Sequence, residues 1–317
     1  MDKIKLFSKK RNNIPQHIID NEFDYVGCQY DSLKHNTRRK FKNDRAALCV
    51  DKNGFHITTN PTSYLKGHNI YQINRHELQN FKEIFETDLH INTNDFTLTG
   101  FDYNINIETD YNVGSYLRSF HLLPKYKKEI YANGSGTTFI NRCKTFSIYD
   151  KLEQVKKSKG TVPQDCINSN IMRLELGIKS RLNKTLNLAK IHTLQDLINA
   201  DNYISMIKEF EHIYSKINKQ PIYKFLNMTK PNPSIIDTDS FILIYYINEI
   251  GLDNYIDSLD QERRMEIISY KQMKTRKDKA IFVWNEYSKL DDNHFDLFKE
   301  MNDKVTSQIQ SNIKLAL

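Results

Sequence analysis

Polar and apolar residues alternate in several stretches of the first half of the chain. Residues 46–50 and 55–59 lie on either side of a Lys-Asn-Gly turn, a pattern typical of a β-hairpin. Three longer strands are predicted over residues 97–108, 137–151 and 170–180. Because successive side chains of a strand point to opposite faces, this alternation indicates a sheet with one apolar and one polar face.

Helical periodicity replaces this alternation in other regions. Apolar residues recur at three- and four-residue steps over residues 76–85, and again over residues 194–217, as one long amphipathic helix or two short ones. Residues 228–234 contain two prolines and predict a linker. Beyond the linker, helices are predicted over residues 239–249, 252–259 and 261–289.

Together these elements predict an α+β fold. A central antiparallel sheet with helices on one face is expected in a first domain of residues 1–225. A small helical domain is expected to follow over residues 235–317. The first domain has the size of a catalytic domain, so we expect the functional residues to lie in it.

Composition and charge narrow the class of protein. The chain has 317 residues, 39% of them hydrophobic and 27% charged, as in a folded protein. Its longest apolar run, residues 241–247, is far shorter than the ~18 residues of a membrane span. Residues 1–11 lack an apolar signal core, so we expect a cytoplasmic protein with no membrane partner. The four cysteines form no C-x-x-C pair, which favours reduced thiols over a zinc site or disulfides.

The net charge of +7 fits a polyanionic partner, although many soluble proteins are as basic without binding nucleic acid. The polar positions of the three long strands indicate a more specific chemistry. Those of chemical interest are, in chain order, Asp102, Tyr149, Lys151, Arg173, Glu175 and Lys179. Two carboxylates can hold Mg²⁺ or Mn²⁺, a tyrosine beside a lysine is a candidate nucleophile, and further cations clamp phosphate. The alternative is a merely solvated face, which half-exposed antiparallel strands commonly have.

Four short motifs follow one another along these strands. Residues 60–70 contain a Pro-x-x-x-Leu-x-Gly-x-Asn pattern, and residues 98–106 match a strand usually written R-I-D, with Asp102 as its acid. Residues 146–153 contain Y-D-K followed by an acid, and residues 172–179 contain R-x-E-x-x-x-K. In order and spacing, these motifs resemble the gene II/gene X-type family of phage and plasmid replication proteins, which is related to the plasmid rolling-circle initiators.

The resemblance implies a metal-dependent DNA-nicking enzyme that initiates rolling-circle replication in a bacterial host cell. Tyr149 would attack a phosphodiester of single-stranded DNA or an origin hairpin, giving a 5′-phosphotyrosine and a free 3′-hydroxyl. Lys151 would lower the pKa of that tyrosine or contact the phosphate. Asp102 and Glu175 would hold Mg²⁺ or Mn²⁺. Whether a host helicase is a further partner stays open.

DNA contacts are expected from three groups of cations. Arg173 and Lys179 would grip the backbone at the site. The densest basic run, residues 34–45, is either a DNA-contacting arm or a solvated segment. Its candidate contacts are Arg38, Arg39, Lys40 and Lys42. A further cluster, between Lys271 and Lys279, lies on a predicted helix.

Two departures from the family pattern leave other functions open. Gly100 stands where the family has the arginine of R-I-D, and the sequence contains no His-x-His pair, with which many rolling-circle nickases bind metal. A non-catalytic DNA-binding or regulatory protein on a decayed nickase fold is therefore the main alternative. A virion or host-interaction protein without a DNA role is the third. Tyr131 and Tyr126 are the alternative nucleophiles.

Overall fold

A computed structural model describes residues 1–9, 16–31, 36–179, 182, 191–219, 223–225, 238–290 and 294–317. The linker predicted over residues 228–234 lies outside these residues. The strands are, in chain order, β1 (Lys3–Ser8), β2 (Asp24–Asp31), β3 (Asn36–Lys42), β4 (Ala46–Asp51), β5 (Gly54–Thr59), β6 (Thr97–Glu108), β7 (Phe120–Leu122), β8 (Lys127–Ile130), β9 (Gly136–Ile140), β10 (Lys144–Asp150), β11 (Ile171–Ile178), β12 (Asn218–Lys219), β13 (Tyr223–Phe225) and β14 (His294–Asp296). The helices are α1 (Gln16–Glu22), α2 (Pro61–Lys66), α3 (Arg75–Leu89), α4 (Val113–Leu117), α5 (Lys151–Lys157), α6 (Leu194–Ile198), α7 (Ala200–Lys216), α8 (Thr238–Ile250), α9 (Leu252–Arg264), α10 (Tyr270–Leu290) and α11 (Leu297–Ala316).

The chain divides into two compact units. The first consists of Met1–Val113, Leu123–Lys216 and Val305–Leu317, and the second of Gly114–Leu122 and Ile217–Lys304. In the first unit, ten strands form one antiparallel sheet in the order β2-β3-β4-β5-β1-β6-β11-β10-β9-β8. This confirms the predicted α+β class and its antiparallel sheet. In the described part of the chain, no helix is long and apolar enough to span a membrane.

The apolar face of the sheet packs on helix α7. The ring of Tyr103 on β6 makes edge contacts with the rings of Tyr203 and Phe210 on that helix. Phe146 on β10 also packs against Phe210, with ring centroids 5.1 Å apart. The Tyr103 hydroxyl accepts a hydrogen bond from the side chain of Asn312, which satisfies the one polar atom of this buried ring.

The second unit contains the short strand pairs β7–β12 and β13–β14 and the helices α8, α9 and α10. Leu259 on α9 packs with Ile268 and Met273 to form a small apolar cluster between α9 and α10. Here the predicted helix boundary at residue 260 is wrong. Helix α9 continues to Arg264, and the break falls at residues 265–269.

Most of the predicted elements of the first unit are present. The hairpin forms from β4 and β5, β6 has the predicted bounds, and α3 covers the predicted helix. Residues 194–217 form two helices, the second of the two alternatives. The single strand predicted over residues 137–151 is wrong, because the chain reverses between β9 and β10. The Asn141 side chain accepts hydrogen bonds from the backbone N–H groups of Cys143 and Lys144, which stabilises this turn.

Candidate functional site

The register of three neighbouring strands brings the predicted site residues onto one face of the sheet. Strand β11 lies between β6 and β10. Tyr149 lies opposite Arg173 on one side of β11, and Asp102 lies opposite Gly177 on the other. Because alternate residues of a strand share a face, Asp102, Glu175 and Tyr149 lie on the same side of the sheet.

This polar face is buried at the site. Arg173 and Lys151 are both 0% exposed, and Tyr149 is 7% exposed. The segment that follows α2 covers them together with α5, since Ile70 packs there with Leu152 and further apolar residues. The solvated face considered from the sequence is therefore wrong for this part of the sheet. Buried polar groups require hydrogen-bond or ion-pair partners.

Tyr149 and Glu175 are directly hydrogen bonded. The tyrosine hydroxyl donates to Glu175 Oε2 over 3.1 Å. Burial and the neighbouring Glu175 carboxylate together raise the pKa of Tyr149 well above its ordinary value, although Arg173 opposes this rise. In the resting site Tyr149 is therefore a phenol, and it needs a proton acceptor before it can attack a phosphorus atom. Glu175 is in position to be that acceptor.

Asp2 is a third carboxylate at the site, and it was not predicted from the sequence. Its side chain is in hydrogen-bonding contact with Glu175 and pairs with Arg173, with Oδ2 and Nη1 3.1 Å apart. Asn60 donates a further hydrogen bond of 2.7 Å to Asp2 Oδ1. The signal that could have found Asp2 is the alternation that begins right after it, Lys-Ile-Lys-Leu, which forms β1 next to β6.

The acids at the site differ in their ease of ionisation. Burial alone would raise the pKa of Asp2, but the adjacent Arg173 and Lys151 cations overcome burial and lower it. Burial raises the pKa of Glu175, and the nearby carboxylates of Asp2 and Asp102 raise it further. Burial also raises the pKa of Asp102. Asp2 is therefore the anion that neutralises Arg173, and Glu175 is a carboxyl group that holds its proton more tightly than usual.

Asp102 occupies space that Gly177 leaves open. A Cβ atom at Gly177 would lie 2.9 Å from Asp102 Oδ1. Lys3 on β1 is paired with Asp102, with Nζ and Oδ2 3.5 Å apart. Gly100 lies opposite Lys5 of β1, and a Cβ atom at Gly100 would lie 3.6 Å from Lys5 Cδ. A lysine from the neighbouring strand thus lies where the resemblance expected an arginine side chain.

Arg173 is an internal anchor of the site. Its Nε donates to Asn106 Oδ1 over 2.7 Å, and its Nη2 donates to the carbonyl oxygens of Asn69 and Ile70 over 2.6 and 2.9 Å. With the Asp2 ion pair added, each nitrogen of this guanidinium has a polar neighbour, and the side chain has no exposed surface. The DNA contact predicted for Arg173 stays a prediction, while in this structure its contacts are within the protein and position the site.

Lys151 is also placed differently from the prediction. Residue 151 was read as the end of a strand, but the Asp150 side chain accepts a hydrogen bond from the Glu153 N–H and so starts helix α5 at Lys151. The buried Lys151 Nζ donates to Gln154 Oε1 over 2.8 Å. Burial, followed by the Arg173 charge, lowers the pKa of Lys151 to about 7. Its charge still acts on Asp2 and Glu175, so its influence on the site is electrostatic.

A cavity of about 420 Å³ leads to Tyr149 from the side of α5. Tyr131 lines the cavity as well, and its ring centroid lies 6.3 Å from that of Tyr149. Gly136 permits this arrangement, because a Cβ atom there would lie 2.6 Å from the Tyr131 ring and 2.7 Å from Tyr149 Cβ. The remaining lining residues are Asn133, Ser135, Asp150, Gln154, Lys157 and Ser158. Of the two alternative nucleophiles, Tyr131 shares this cavity, whereas burial raises the pKa of Tyr126 to about 12.

Most of the other predicted DNA contacts are exposed. Lys179 follows β11 and is exposed. On β3, Arg39, Lys40 and Lys42 are exposed and Arg38 is partly buried. Of the run at residues 34–45, only residues 36–45 belong to the described part. The second basic cluster lies on α10 of the second unit, where Lys271 and Lys279 are exposed.

Among the described residues, no three His, Cys, Asp or Glu side chains are arranged closely enough to hold a metal ion by themselves. The oxygen donors present are nevertheless those that Mg²⁺ and Mn²⁺ use, and Mg²⁺ commonly binds through one or two carboxylates and completes its shell with water. No model of a known protein family and no curated protein sequence matches this chain. Its function must therefore be inferred from the site.

Proposed function

We propose that this chain nicks single-stranded DNA by attack of Tyr149 on a phosphodiester, as an initiator of rolling-circle replication. The observation that supports the proposal most is the hydrogen bond from the Tyr149 hydroxyl to Glu175, beside two further carboxylates and a cavity. A nucleophile in contact with a base, which is itself oriented by a third group, is the common arrangement in covalent catalysis. Here Asp2, held by Arg173, orients Glu175.

The proposed reaction proceeds in one displacement. The Tyr149 proton passes to Glu175 as the phenolic oxygen bonds to phosphorus. The bond between phosphorus and the 3′ oxygen breaks, and that oxygen takes up a proton from water to become a free 3′-hydroxyl. The fragment downstream of the cut stays attached to Tyr149 through its 5′ phosphate, as a phosphotyrosine. Religation is the reverse of these steps, with Glu175 returning the proton.

Asp102 and Glu175 are the residues that would hold Mg²⁺ or Mn²⁺. Burial and like charges raise the pKa values of both carboxyls, which means that a cation beside them would relieve a real electrostatic cost. When bound, such an ion favours the ionised form of Glu175 and offsets the negative charge that develops on the phosphate. Lys151 adds positive charge to the same site from its buried position.

Covalent capture tests the proposal. The protein is incubated with Mn²⁺ and a random-sequence single-stranded DNA library labelled at its 3′ end, and adducts are separated on a denaturing gel. The wild-type protein is expected to form an adduct that digestion and mass spectrometry map to Tyr149. Tyr149→Phe should form none, and the matched control Tyr131→Phe should form as much as wild type. An adduct that persists in Tyr149→Phe, or maps to Tyr131, contradicts the assignment.

A non-catalytic DNA-binding protein is the second candidate, and the depth of Tyr149 favours it. A tyrosine that is only 7% exposed, with a raised pKa, is poorly placed for attack unless the cavity admits a phosphate. The same experiment separates the two candidates. Salt-sensitive binding of the library without any adduct, at all Mn²⁺ concentrations, would support the second one.

A further inference from the structure

One half of the polar face of the large sheet is open to solvent. The residues that share a face with Asp102 can be followed across the neighbouring strands. Lys5 on β1 lies opposite Gly100 of β6 and Thr58 of β5. Thr58 lies opposite Ala47 of β4, which in turn lies opposite Lys42 of β3. The open face, as we call it, is therefore formed by alternate residues of β3, β4, β5 and β1. These are Arg38, Lys40, Lys42, Ala47, Cys49, Asp51, His56, Thr58, Lys3, Lys5 and Phe7.

The two faces of these strands differ sharply in burial. Lys5, Lys40 and Lys42 on the open face are exposed. On the opposite face, Leu48 is 2% exposed and Ile57 is 0% exposed. On β4, β5 and β1, the described residues thus form one core face and one face that water reaches, whereas on β3 Arg39 of the opposite face is exposed as well. The open face leads directly to Asp102 at the candidate site.

Positive charge dominates the open face. Two rows of cations cross it, one on β3 (Arg38, Lys40 and Lys42) and one on β1 (Lys3 and Lys5). The carboxylate of Asp51 on β4 is only 1% exposed and lies 3.4 Å from Arg38, and Asp24 on β2, opposite Lys42, is an exposed acid at the outer edge. Cations that line a path with few exposed acids attract a polyanion, because each phosphate contact releases a condensed counterion.

An aromatic pair lies beside the cations, with Phe7 at the end of the β1 row and His56 opposite it on β5. The rings of Phe7 on β1 and His56 on β5 are in contact, with centroids 4.7 Å apart and planes tilted by 37°. The His56 side chain is 42% exposed. Aromatic rings on a positively charged sheet surface serve as stacking platforms for unpaired bases. The bases of a duplex are stacked on each other, so they cannot use such a platform.

From these observations we infer that the open face binds single-stranded DNA and guides it towards Tyr149. That the DNA is guided towards Tyr149 rests on the proposed function. That the open face binds DNA is argued independently, from its charges and aromatic rings. Neighbouring strands lie about 4.8 Å apart, so the path from β3 to Asp102 on β6 crosses four steps and is ~19 Å long. Phosphates would contact the two rows of cations, and bases would stack on the Phe7–His56 pair.

Binding by a variant that cannot nick tests the inference apart from the chemistry. In a full-length Tyr149→Phe background, a fluorescein-labelled oligothymidylate of about 15 nucleotides is titrated at several salt concentrations. The triple change Lys5→Gln, Lys40→Gln and Lys42→Gln should weaken binding and reduce the slope of log K against log salt by about 2, since each lost contact with a single strand contributes ~0.7. The matched control changes three exposed lysines elsewhere, Lys156, Lys208 and Lys216, to glutamine.

Three outcomes would overturn the inference. In the first, the control triple lowers affinity and salt slope as much as the open-face triple, which would make the attraction one of net charge alone. In the second, a blunt duplex of equal length binds more tightly than the oligothymidylate. Absence of oligothymidylate binding at low salt would also overturn it, whatever the capture experiment shows for Tyr149. Conversely, normal binding without any adduct would retain the open face and refute only the nicking.

The aromatic pair gives an independent measurement. His56→Ala removes an exposed ring and should lower oligothymidylate affinity about fivefold or more without changing the salt slope, because stacking involves no counterion release. The conservative change His56→Phe should restore affinity. If His56→Phe binds as weakly as His56→Ala, the ring does not stack on bases and this part of the inference is wrong. Melting temperatures of all variants establish that each is folded.

Discussion

Gly177 and Asp102 lie opposite each other on adjacent strands, and the missing side chain of the glycine makes room for the carboxylate. A Cβ atom at residue 177 would lie 2.9 Å from Asp102 Oδ1 and 2.4 Å from Thr145 Oγ1. The backbone conformation itself does not require glycine here. Residue 177 is therefore restricted to glycine by the space that the neighbouring side chains, including Asp102, occupy.

Gly177→Ala should consequently disturb the site while leaving the sheet in place. We expect a loss of about 1–3 kcal/mol in the free energy of unfolding, as for other overpacked positions, and a loss of nicking. Adding Thr145→Ala removes the closer of the two clashes and should restore stability. The double variant should remain impaired in nicking, because the contact with Asp102 persists. Urea unfolding and the capture assay measure the two effects separately, and full nicking by Gly177→Ala would contradict the argument.

Glu175 makes stability depend on pH in a direction opposite to that of most acids. Its folded-state pKa is raised from 4.5 to about 8, so folding favours the protonated form. This contribution is complete below the unfolded pKa and is lost as the pH rises through the folded pKa. Glu175→Gln keeps the shape of the protonated acid and cannot ionise. In the presence of a chelator, the free energy of unfolding of the variant should therefore rise relative to that of wild type between about pH 5 and pH 8.5, by on the order of a few kcal/mol.

Urea unfolding of both proteins across that pH range measures the difference. The same variant should be inactive in covalent capture, because an amide cannot take the Tyr149 proton. Stability gained together with activity lost identifies a site whose charge is kept for function. A constant stability difference between wild type and variant over this range would show that Glu175 ionises normally in the folded protein.

Much of the site could be predicted from strand parity alone. The three strands that carry Asp102, Tyr149 and Glu175 were found by their alternation, and a sheet with period two then places alternate residues on a common face. Strand parity does not predict the order of the strands in the sheet or which segments of the chain cover them. The burial of Arg173 depends on Asn69, Ile70 and Asp2, which come from distant parts of the sequence.

The errors also have local physical causes. Residues 137–151 read as one strand because both halves are rich in β-forming residues, and the short turn at Asn141 breaks no hydrophobic pattern. Lys151 read as a strand residue although Asp150 is a favourable N-cap residue and Glu153 a favourable first-turn acid of a helix. Strand β1 was missed because its alternation covers only a few residues, and with it Asp2 was missed.

Arg173 should be among the most sensitive positions for stability. Arg173→Met would remove the cation that pairs with Asp2 and the donor to the carbonyl oxygens of Asn69 and Ile70, and removing one member of a buried ion pair typically costs about 3–5 kcal/mol. The matched control is Arg276→Gln, which breaks an exposed pair with Glu262 and should cost no more than about 1 kcal/mol. Thermal unfolding compares the two. Equal losses would show that Arg173 is not the anchor inferred from its contacts.

A divalent cation should bind to the carboxylates before any DNA is present. Ligands that bind only the folded state stabilise it, by about 2.7 kcal/mol at a concentration about 100 times Kd. Mn²⁺ should therefore raise the melting temperature of the wild-type protein, and Asp102→Asn should abolish most of the increase. Asp201→Asn removes an exposed acid from α7 and serves as the control, since it should respond to Mn²⁺ as wild type does. Equal responses of the two variants would mean that Mn²⁺ acts at other acids, and catalysis would then have to rely on Lys151 for positive charge, because Arg173 is already committed to Asp2.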